Sequence, residues 1–419
     1  MLSRRSRSLP FAAALVVATV ACGDVSGPGD GTGDPITELP RTLTTVETEL
    51  VSASNQFGLD LLRETLAREE GLNVVLSPLS ASVALGMTLN GADGSTFDAM
   101  RETLGYPGLQ QAEINAAYRD LLTLLVELDP DVEFQVANSL WADEGFPFEE
   151  DFVARVQSSF DAVARTLDLQ APATLGEING WVEEETNGYI PTLLDEIPAE
   201  TVMYLINAIY FESTWTLQFD PDETRTAPFR RADGVEVQVP LMSMRSAEIP
   251  WVRDEGFVAA DLPYGAEAFG MLVILPAEGT PVRDFVANLT AGDLAEIESA
   301  LVERQLSRLA LPRFKLSYGT LLNDALKAMG MEVAFDELAA DFDRMSPDSR
   351  LFIDEVRQKT FIEVDEAGTR AAAATSVGVG ETSLPPELVA DRPFLFVLRE
   401  RLSGTILFTG VVGDPTAEG

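Results

Sequence analysis

The sequence contains no histidine and only one cysteine, Cys22. Without an imidazole, the chain cannot build a catalytic triad with a histidine base, a His-Glu-x-x-His zinc motif or most transition-metal sites. A single cysteine also excludes a disulfide within the chain. Carboxylate-only calcium sites and paired-acid hydrolysis remain open, but no pair stands out among the 68 acidic residues. We therefore predict no catalytic centre, no metal and no cofactor.

Basic residues are scarce relative to acidic ones. Lys and Arg together number 29, whereas Asp and Glu number 68, which gives a formal net charge of -39. Such a charge repels nucleic acid and anionic lipid headgroups. We therefore predict that the chain binds no nucleic acid and meets a membrane only through an anchor.

Long apolar runs are also missing, apart from a short one near the start. Arginines precede an apolar run over residues 9–21, and small residues lead to Cys22. A charged segment, a short apolar segment and a small-residue cleavage site are typical of an export signal. The run is shorter than the roughly 20 residues that a membrane-spanning helix needs. We expect residues 1–21 to be a signal peptide and the mature protein to have no transmembrane helix.

The end of the apolar run predicts how the exported protein is held. Residues 19–23, Thr-Val-Ala-Cys-Gly, resemble the bacterial lipobox, in which the cysteine becomes the lipidated first residue. An ordinary signal peptide with an incidental cysteine is the alternative. The following Gly-, Pro- and Asp-rich segment cannot bury enough apolar surface to order itself. Residues 22–45 are therefore predicted to be a lipidated Cys22 and a flexible tether. We expect a lipoprotein anchored in the periplasm or at the cell surface, or a secreted protein.

The apolar pattern changes along the rest of the chain. Between residues 46 and 106 apolar residues recur at helical spacing, as in Leu59, Leu62 and Leu66. From residue 201 onward, strand-like apolar runs alternate with Gly, Pro and Asp turns. No internal repeat or second linker is visible. We therefore predict one α+β domain over residues 46–415, followed by a short tail, 416–419.

Several stretches of this domain carry a family resemblance when they are taken in order along the chain. They cover residues 73–80, 90–92, 138–141, 178–182, 186–188, 206–211 with Trp215, Phe219, Thr224 and Phe229, 311–314 and 392–396. Taken alone, Ser77 and Pro78 in the first stretch are better explained by an ordinary capped helix start. The order of the stretches over most of the domain is harder to obtain by chance, and together they resemble signatures of the serpin family.

This resemblance implies the serpin fold, in which N-terminal helices pack on a large central β-sheet, with further sheets and an exposed reactive loop at about 366–386. It also implies a polar cluster beneath the sheet, where the central strands part. The family usually has a histidine in this cluster, at the position of Gln358, so the hydrogen bonds there must be built differently. The predicted sheet-opening cluster contains Ser77, Ser80, Asn207, Gln358, Trp215 and Thr224.

Residues 366–375 resemble the hinge of inhibitory serpins. If this segment became a strand, its side chains would alternate between two faces of the sheet. One set, at every second position from Thr369 to Val379, is small or β-branched and uncharged, whereas the opposite set carries one charge, at Arg370. No proline interrupts residues 369–383, so each residue can donate to a ladder. The predicted hinge residues are Glu366, Gly368, Thr369, Arg370, Ala371, Ala372, Ala373, Ala374 and Thr375.

The position of the bond that a protease would cut follows from the hinge. In inhibitory serpins the cut usually follows the seventeenth residue counted from the hinge glutamate, which here is Thr382. The predicted reactive bond is therefore Thr382-Ser383, with Glu381 and Leu384 as alternatives if the register slips. A small β-branched residue before the bond favours an elastase-like protease over a trypsin-like one.

The resemblance therefore implies a serine protease inhibitor that acts as a suicide substrate. Cleavage of the loop would form an acyl-enzyme, and insertion of the loop into the sheet would trap the protease in a covalent complex. We predict a monomer that contributes no catalytic residue. A non-inhibitory serpin that serves as a binding module and an inhibitor of a papain-like cysteine protease remain as alternatives. A lipid-anchored solute-binding protein would instead show βαβ alternation throughout.

Overall fold

The computed structural model describes residues 34–347, 350–369 and 386–417. Within these ranges the chain forms nine α-helices and fifteen β-strands. The helices are α1 (Thr45–Arg68), α2 (Pro78–Leu89), α3 (Gly94–Thr103), α4 (Gln111–Val126), α5 (Glu150–Phe160), α6 (Thr174–Glu185), α7 (Val282–Ala287), α8 (Ala291–Ala300) and α9 (Asn323–Leu326). The strands are β1 (Val74–Leu76), β2 (Val132–Asp143), β3 (Val163–Leu167), β4 (Met203–Thr214), β5 (Arg225–Arg230), β6 (Glu236–Arg253), β7 (Phe257–Tyr264), β8 (Phe269–Pro276), β9 (Val302–Pro312), β10 (Phe314–Leu321), β11 (Arg357–Val364), β12 (Gly368–Thr369), β13 (Glu387–Val389), β14 (Phe394–Glu400) and β15 (Ile406–Val412).

Side-chain caps set the starts of the two helices nearest the N-terminus. The Thr44 hydroxyl accepts a hydrogen bond from the Glu47 N–H, and the Glu47 carboxylate accepts one from the Thr44 N–H, which makes a capping box for α1. At the start of α2, the Ser77 hydroxyl accepts from the Ser80 N–H, and Pro78 occupies the first turn. The first serpin-like stretch is therefore also a capped helix start, as its residues predicted.

The packed chain begins earlier than the sequence predicted. The N–H of Ile36 donates to the carbonyl of Ala266 at 2.7 Å, and Ile36, Leu39 and Leu43 pack against the main core. The side chain of Arg41 forms an ion pair with the capping glutamate of α1. The prediction of a flexible tether up to residue 45 is therefore wrong at its C-terminal end, because three apolar side chains there find partners on the domain.

The described strands form three sheets. One sheet has nine strands in the order β1-β15-β14-β8-β7-β6-β9-β13, with β5 paired to β6. A second sheet has the order β12-β4-β2-β3, and the third contains only β10 and β11. Helices α1 and α2 pack against this framework from the N-terminal part. The predicted fold class, α+β with helices packed on a large sheet and further sheets beside it, is confirmed.

The two faces of β4 belong to different apolar clusters. Its odd-numbered residues Ile209 and Phe211 lie in the main core, which spans most of the domain. Its even-numbered residues Ile206 and Ala208 lie in a smaller cluster with Trp181 of α6. Since side chains alternate along a strand, this assigns the odd positions of β4 to the main core and the even positions to the α6 side.

No helix in the described ranges is both long enough and apolar enough to cross a membrane.

Candidate functional site

The chain reverses direction directly after β11. The Asp365 carboxylate accepts hydrogen bonds from the N–H groups of Ala367 (2.9 Å) and Gly368 (3.3 Å). Aspartate stabilises such turns because its short side chain reaches the backbone two residues ahead. Beyond the turn, β12 pairs antiparallel with the end of β4, with Gly368 opposite Thr214 and Thr369 opposite Ser213. The predicted hinge therefore begins as a short strand on the edge of β4 that faces β11.

Gly368 occupies a position that other residues would strain. Its φ is +142°, which lies in the range that favours glycine. A Cβ at this position would lie 2.5 Å from the Ser213 carbonyl oxygen and 2.6 Å from the Thr214 Cα. The close approach of the hinge to β4 therefore requires glycine here.

Glu366 anchors the start of the hinge to the domain. Its carboxylate accepts hydrogen bonds from the Arg313 guanidinium at 2.6 and 2.7 Å and from the Thr224 hydroxyl at 2.6 Å. Only 7% of the Glu366 side chain is exposed. Burial alone would raise the pKa of this carboxyl, but the hydrogen bonds from Arg313 and Thr224 hold the pKa below its usual range. Glu366 is therefore ionised and fixed at neutral pH.

Trp215 holds the same turn from the side of β4. Its backbone N–H donates to the Ala367 carbonyl at 2.8 Å, and its indole Nε1–H donates to the Asp365 carbonyl at 2.9 Å. The indole stacks on Tyr264, with ring centroids 4.2 Å apart. Phe219 contributes one more backbone bond, to the carbonyl of Glu366 at 2.9 Å. The turn is thus tied down by buried aromatic residues as well as by charge.

A second cluster of polar residues lies along β4 and β11, away from the hinge. The Gln358 side chain bonds both backbone groups of Ser77, accepting from its N–H at 3.0 Å and donating to its carbonyl at 2.9 Å. The Ser80 hydroxyl lies 3.4 Å from the Asn207 carbonyl oxygen, at the long limit for a hydrogen bond. The Asn207 side chain donates to Asn138 at 2.8 Å, but its buried Oδ1 has no partner among the described residues.

The structure therefore divides the predicted sheet-opening cluster into two groups. Ser77, Ser80, Asn207 and Gln358 line the same cavity, where the start of α2 meets β4 and β11. Trp215 and Thr224 do not join them, because both follow the end of β4 and contact the hinge instead. The glutamine side chain binds the backbone of α2 at its start rather than the opposite strand.

A cleft separates β4 from β11. Among the described residues no backbone ladder joins these two strands, and a cavity of about 460 Å³ lies between them. Tyr189, from the segment after α6, lies across this cleft. Its ring stacks on Phe361 of β11, with centroids 4.6 Å apart, and on Tyr210 of β4, with centroids 5.7 Å apart. Two strand edges with unpaired backbone groups thus face each other beneath a covering segment.

Several predicted residues lie outside the described ranges. They are the remaining hinge residues Arg370, Ala371, Ala372, Ala373, Ala374 and Thr375, the reactive-bond residues Thr382 and Ser383, and the lipidation site Cys22. The described chain resumes at residue 386, where the Pro386 carbonyl accepts hydrogen bonds from the N–H of Ser307 at 3.0 Å and from its hydroxyl at 2.8 Å.

Comparisons with known proteins agree with this architecture. The family model described as Serpin (serine protease inhibitor) matches residues 52–415. This chain belongs to the serpin family. An uncharacterized serpin-like protein of Thermococcus kodakarensis is 34% identical over 394 residues, which cover 91% of this chain and 91% of that protein.

Two solved serpin structures are also similar. The thermophilic serpin tengpin in its native state superposes with a TM-score of 0.80 at 28% identity, and the match covers 91% of this chain and 97% of tengpin. Thyroxine-binding globulin in complex with thyroxine gives a TM-score of 0.79 at 28% identity, with coverage of 88% and 100%. Serpins in general inhibit proteases and are not enzymes, although some members are not inhibitors.

Sequence reasoning missed several residues that shape the hinge of this serpin. Arg313 was recognised only as part of a family stretch, and Asp365 and Tyr189 were not singled out. Glu366 and Arg313 are 53 positions apart, so no local spacing could have paired them. Asp365 offered a local signal, since an aspartate side chain often accepts from the backbone two residues ahead in a turn.

Replacing Glu366 by Gln should loosen the hinge in a pH-dependent way. Because the pKa of Glu366 is lowered in the folded state, its charged form stabilises the fold above the ordinary carboxyl pKa of about 4.3. This stabilisation is lost as the pH falls through the lowered value. At pH 7 we expect Glu366→Gln to cost about 1–2 kcal/mol, or a few degrees in the apparent midpoint of thermal unfolding.

The midpoints of the two proteins should converge as the pH is lowered toward 3. Glu363→Gln is the matched control, because Glu363 pairs with Lys315, which is 54% exposed, and such pairs contribute about 0–1 kcal/mol. An equal loss of stability by Glu366→Gln at both pH values would contradict the assigned ion pair.

Proposed function

We propose that this serpin inhibits a serine protease as a suicide substrate, and that the cleft between β4 and β11 receives its reactive loop after cleavage. The observation that carries this proposal is the pairing of β12 with the end of β4 at one end of that cleft. A strand already started there needs only to extend. The chain enters in the antiparallel direction, so its next residues would run down along β4.

The register of β12 supports the predicted alternation of the loop. Each residue beyond Thr369 would pair with one residue further back from Ser213, since Thr369 lies opposite Ser213. In this register odd-numbered loop residues meet odd-numbered residues of β4, which face the main core. Residues directly opposite in an antiparallel pair share a face. The uncharged set from Thr369 to Val379 would therefore face the core, and Arg370 would face away from it.

The same register would place the Thr375 hydroxyl beside a buried oxygen of Asn207. Six residues beyond Thr369 is Thr375, and six residues before Ser213 is Asn207. In the inserted state, Thr375 would lie opposite Asn207, whose buried Oδ1 has no partner among the described residues. A threonine hydroxyl can donate to this oxygen. Insertion would thus give hydrogen-bond partners to this buried oxygen and to the backbone groups at the facing edges of β4 and β11.

Insertion would stabilise the cleaved protein substantially. The strand β4 has 12 residues, and each added ladder hydrogen bond contributes a net of about 0.5–1.5 kcal/mol. The cleft is covered by the segment that includes Tyr189, so this segment would have to yield as the loop enters. We infer that the uncut state is kinetically trapped with the loop outside.

The decisive experiment is incubation of the purified domain with serine proteases of different specificity, followed by SDS gel electrophoresis. We expect an SDS-resistant complex with an elastase-like enzyme and release of a small C-terminal fragment. Cleavage without any complex, for every protease tested, would favour a non-inhibitory binding module, as the resemblance to thyroxine-binding globulin allows. A complex with papain, and none with any serine protease tested, would indicate that the protein inhibits cysteine proteases instead.

We also propose that the protein is exported and anchored through a lipid on Cys22. One support is the lipobox-like stretch before this residue. The other is the distance along the chain between Cys22 and Ile36, where the described packing begins. In cell fractionation we expect the wild-type protein to sediment with membranes and to be released by detergent. The Cys22→Ser variant should instead be soluble or keep its signal peptide. Equal partitioning of both forms would favour an ordinary signal peptide and secretion.

A further inference from the structure

Arginines without a carboxylate partner are concentrated on β6 and β9. In a chain with 29 basic and 68 acidic residues, most cations are expected to find an acid nearby. Yet Arg245, Arg253 and Arg308 form no ion pair with any described residue. Arg253 donates instead to the Glu387 carbonyl at 2.7 Å, and Arg308 donates to the Ser243 hydroxyl at 3.3 Å. Within the described ranges, the hydrogen-bond partners of Arg253 and Arg308 are therefore neutral oxygens.

Two of these arginines face each other directly. Arg245 on β6 lies opposite Arg308 on β9 in the antiparallel register. Like charges at such a cross-strand pair are unfavourable, because their side chains share a face at close range. Arg245 is exposed, and within the described residues its side chain has no hydrogen bond or ion pair. An anion bound between the pair would relieve the repulsion.

These arginines surround the point where the chain returns from the reactive loop. Pro386 is held by Ser307 on β9, and Glu387 lies opposite Arg308 in the parallel pairing of β13 with β9. The proposed reactive bond follows residue 382, four residues before Pro386, so it lies at most about 14 Å from this point along an extended chain. A protease bound at this bond would therefore lie near this part of the surface.

We propose that Arg245, Arg253 and Arg308 form a docking surface for an acidic segment at the rim of the protease's substrate cleft. This inference rests on the proposed function, because it concerns the same protease. The chain as a whole carries a formal net charge of -39 and repels such a segment, whereas three guanidiniums without an ion pair, near the point where the chain returns at Pro386, attract it. Charges at the rim of an interface act mainly on the rate of association and on orientation. The arginines would thus select an acidic protease and direct its cleft to the loop.

Arg245→Glu is the sharpest test, because the exposed side chain of Arg245 has no hydrogen bond or ion pair to lose within the described ranges. The association rate constant would be measured by progress curves with a panel of proteases, including pancreatic elastase and subtilisin, at 50 and 300 mM NaCl. For the protease that wild type traps fastest, we expect about a 5–10-fold slower association at low salt. The difference should shrink at high salt, where screening is stronger. The stoichiometry of inhibition should not change.

Arg230→Glu is the matched control, with the same change of charge. Arg230 is exposed and lies opposite Glu236 at the other end of β6 from Arg253, nine positions along the strand from Arg245. If Arg230→Glu slows association as much as Arg245→Glu, the effect is one of net charge and the docking surface is overturned. If neither variant differs from wild type, it is overturned as well. The absence of an SDS-resistant complex with every protease would instead overturn the proposed function, and this inference with it.

Discussion

Thr369→Arg should convert the inhibitor into a substrate. The register of β12 places position 369 opposite Ser213, and the alternation of the loop assigns it to the set that would face the core, so closure of the sheet around an inserted loop would bury an unpaired charge. The protease should still cut the loop, but insertion should be too slow to trap the acyl-enzyme. We expect the stoichiometry of inhibition to rise by at least about tenfold, because the burial of an unpaired charge costs several kcal/mol.

The matched control for this variant introduces the same side chain on the opposite face. Position 372 belongs to the set that includes Arg370, so Ala372→Arg should remain an inhibitor. Quantitative SDS gels of complex and cleaved inhibitor measure both outcomes in one assay. Equal stoichiometry for wild type and Thr369→Arg would reject the insertion of this loop between β4 and β11. Equal failure of both variants would reject the alternation and point to a different register.

Thr382→Arg should redirect inhibition from elastase-like to trypsin-like proteases. A specificity pocket with an acid at its base gains a buried ion pair only when arginine precedes the cut bond. We expect association with trypsin to accelerate by at least about 100-fold, since a well-placed charge pair in a closed pocket contributes several kcal/mol. The thermal unfolding midpoint should not change.

Mass spectrometry of the small fragment released from the wild type checks the bond directly. The fragment should begin at Ser383. A fragment that starts at Thr382 would place the cut after Glu381, and one that starts at Pro385 would place it after Leu384. Either result would contradict the prediction of an elastase-like protease. Ser383→Ala is a useful control, because it changes the residue after the bond and should leave the selection between elastase and trypsin unchanged.

Local chemistry explains why much of the site could be predicted. Capping and alternating residues act over a few positions, so the helix start at Ser77 and the uncharged alternation after Gly368 are visible in the sequence. The helical character of the first third and the strands after residue 201 follow in the same way. The start of the packed body was misjudged because apolar residues near Ile36 are sparse and depend on distant partners.

The sequence by itself determined the absence of imidazole chemistry, the helix and strand periods, and the uncharged alternation from Thr369 to Val379, because these depend on residue type and local spacing. Only the tertiary structure decided which residues hold the start of the predicted hinge, and that a cleft lies between β4 and β11. Gln358 reaches Ser77 across 281 positions, and Glu366 reaches Arg313 across 53. Such contacts depend on how strands and helices pack, and neither composition nor period encodes the distance between side chains that far apart in the chain.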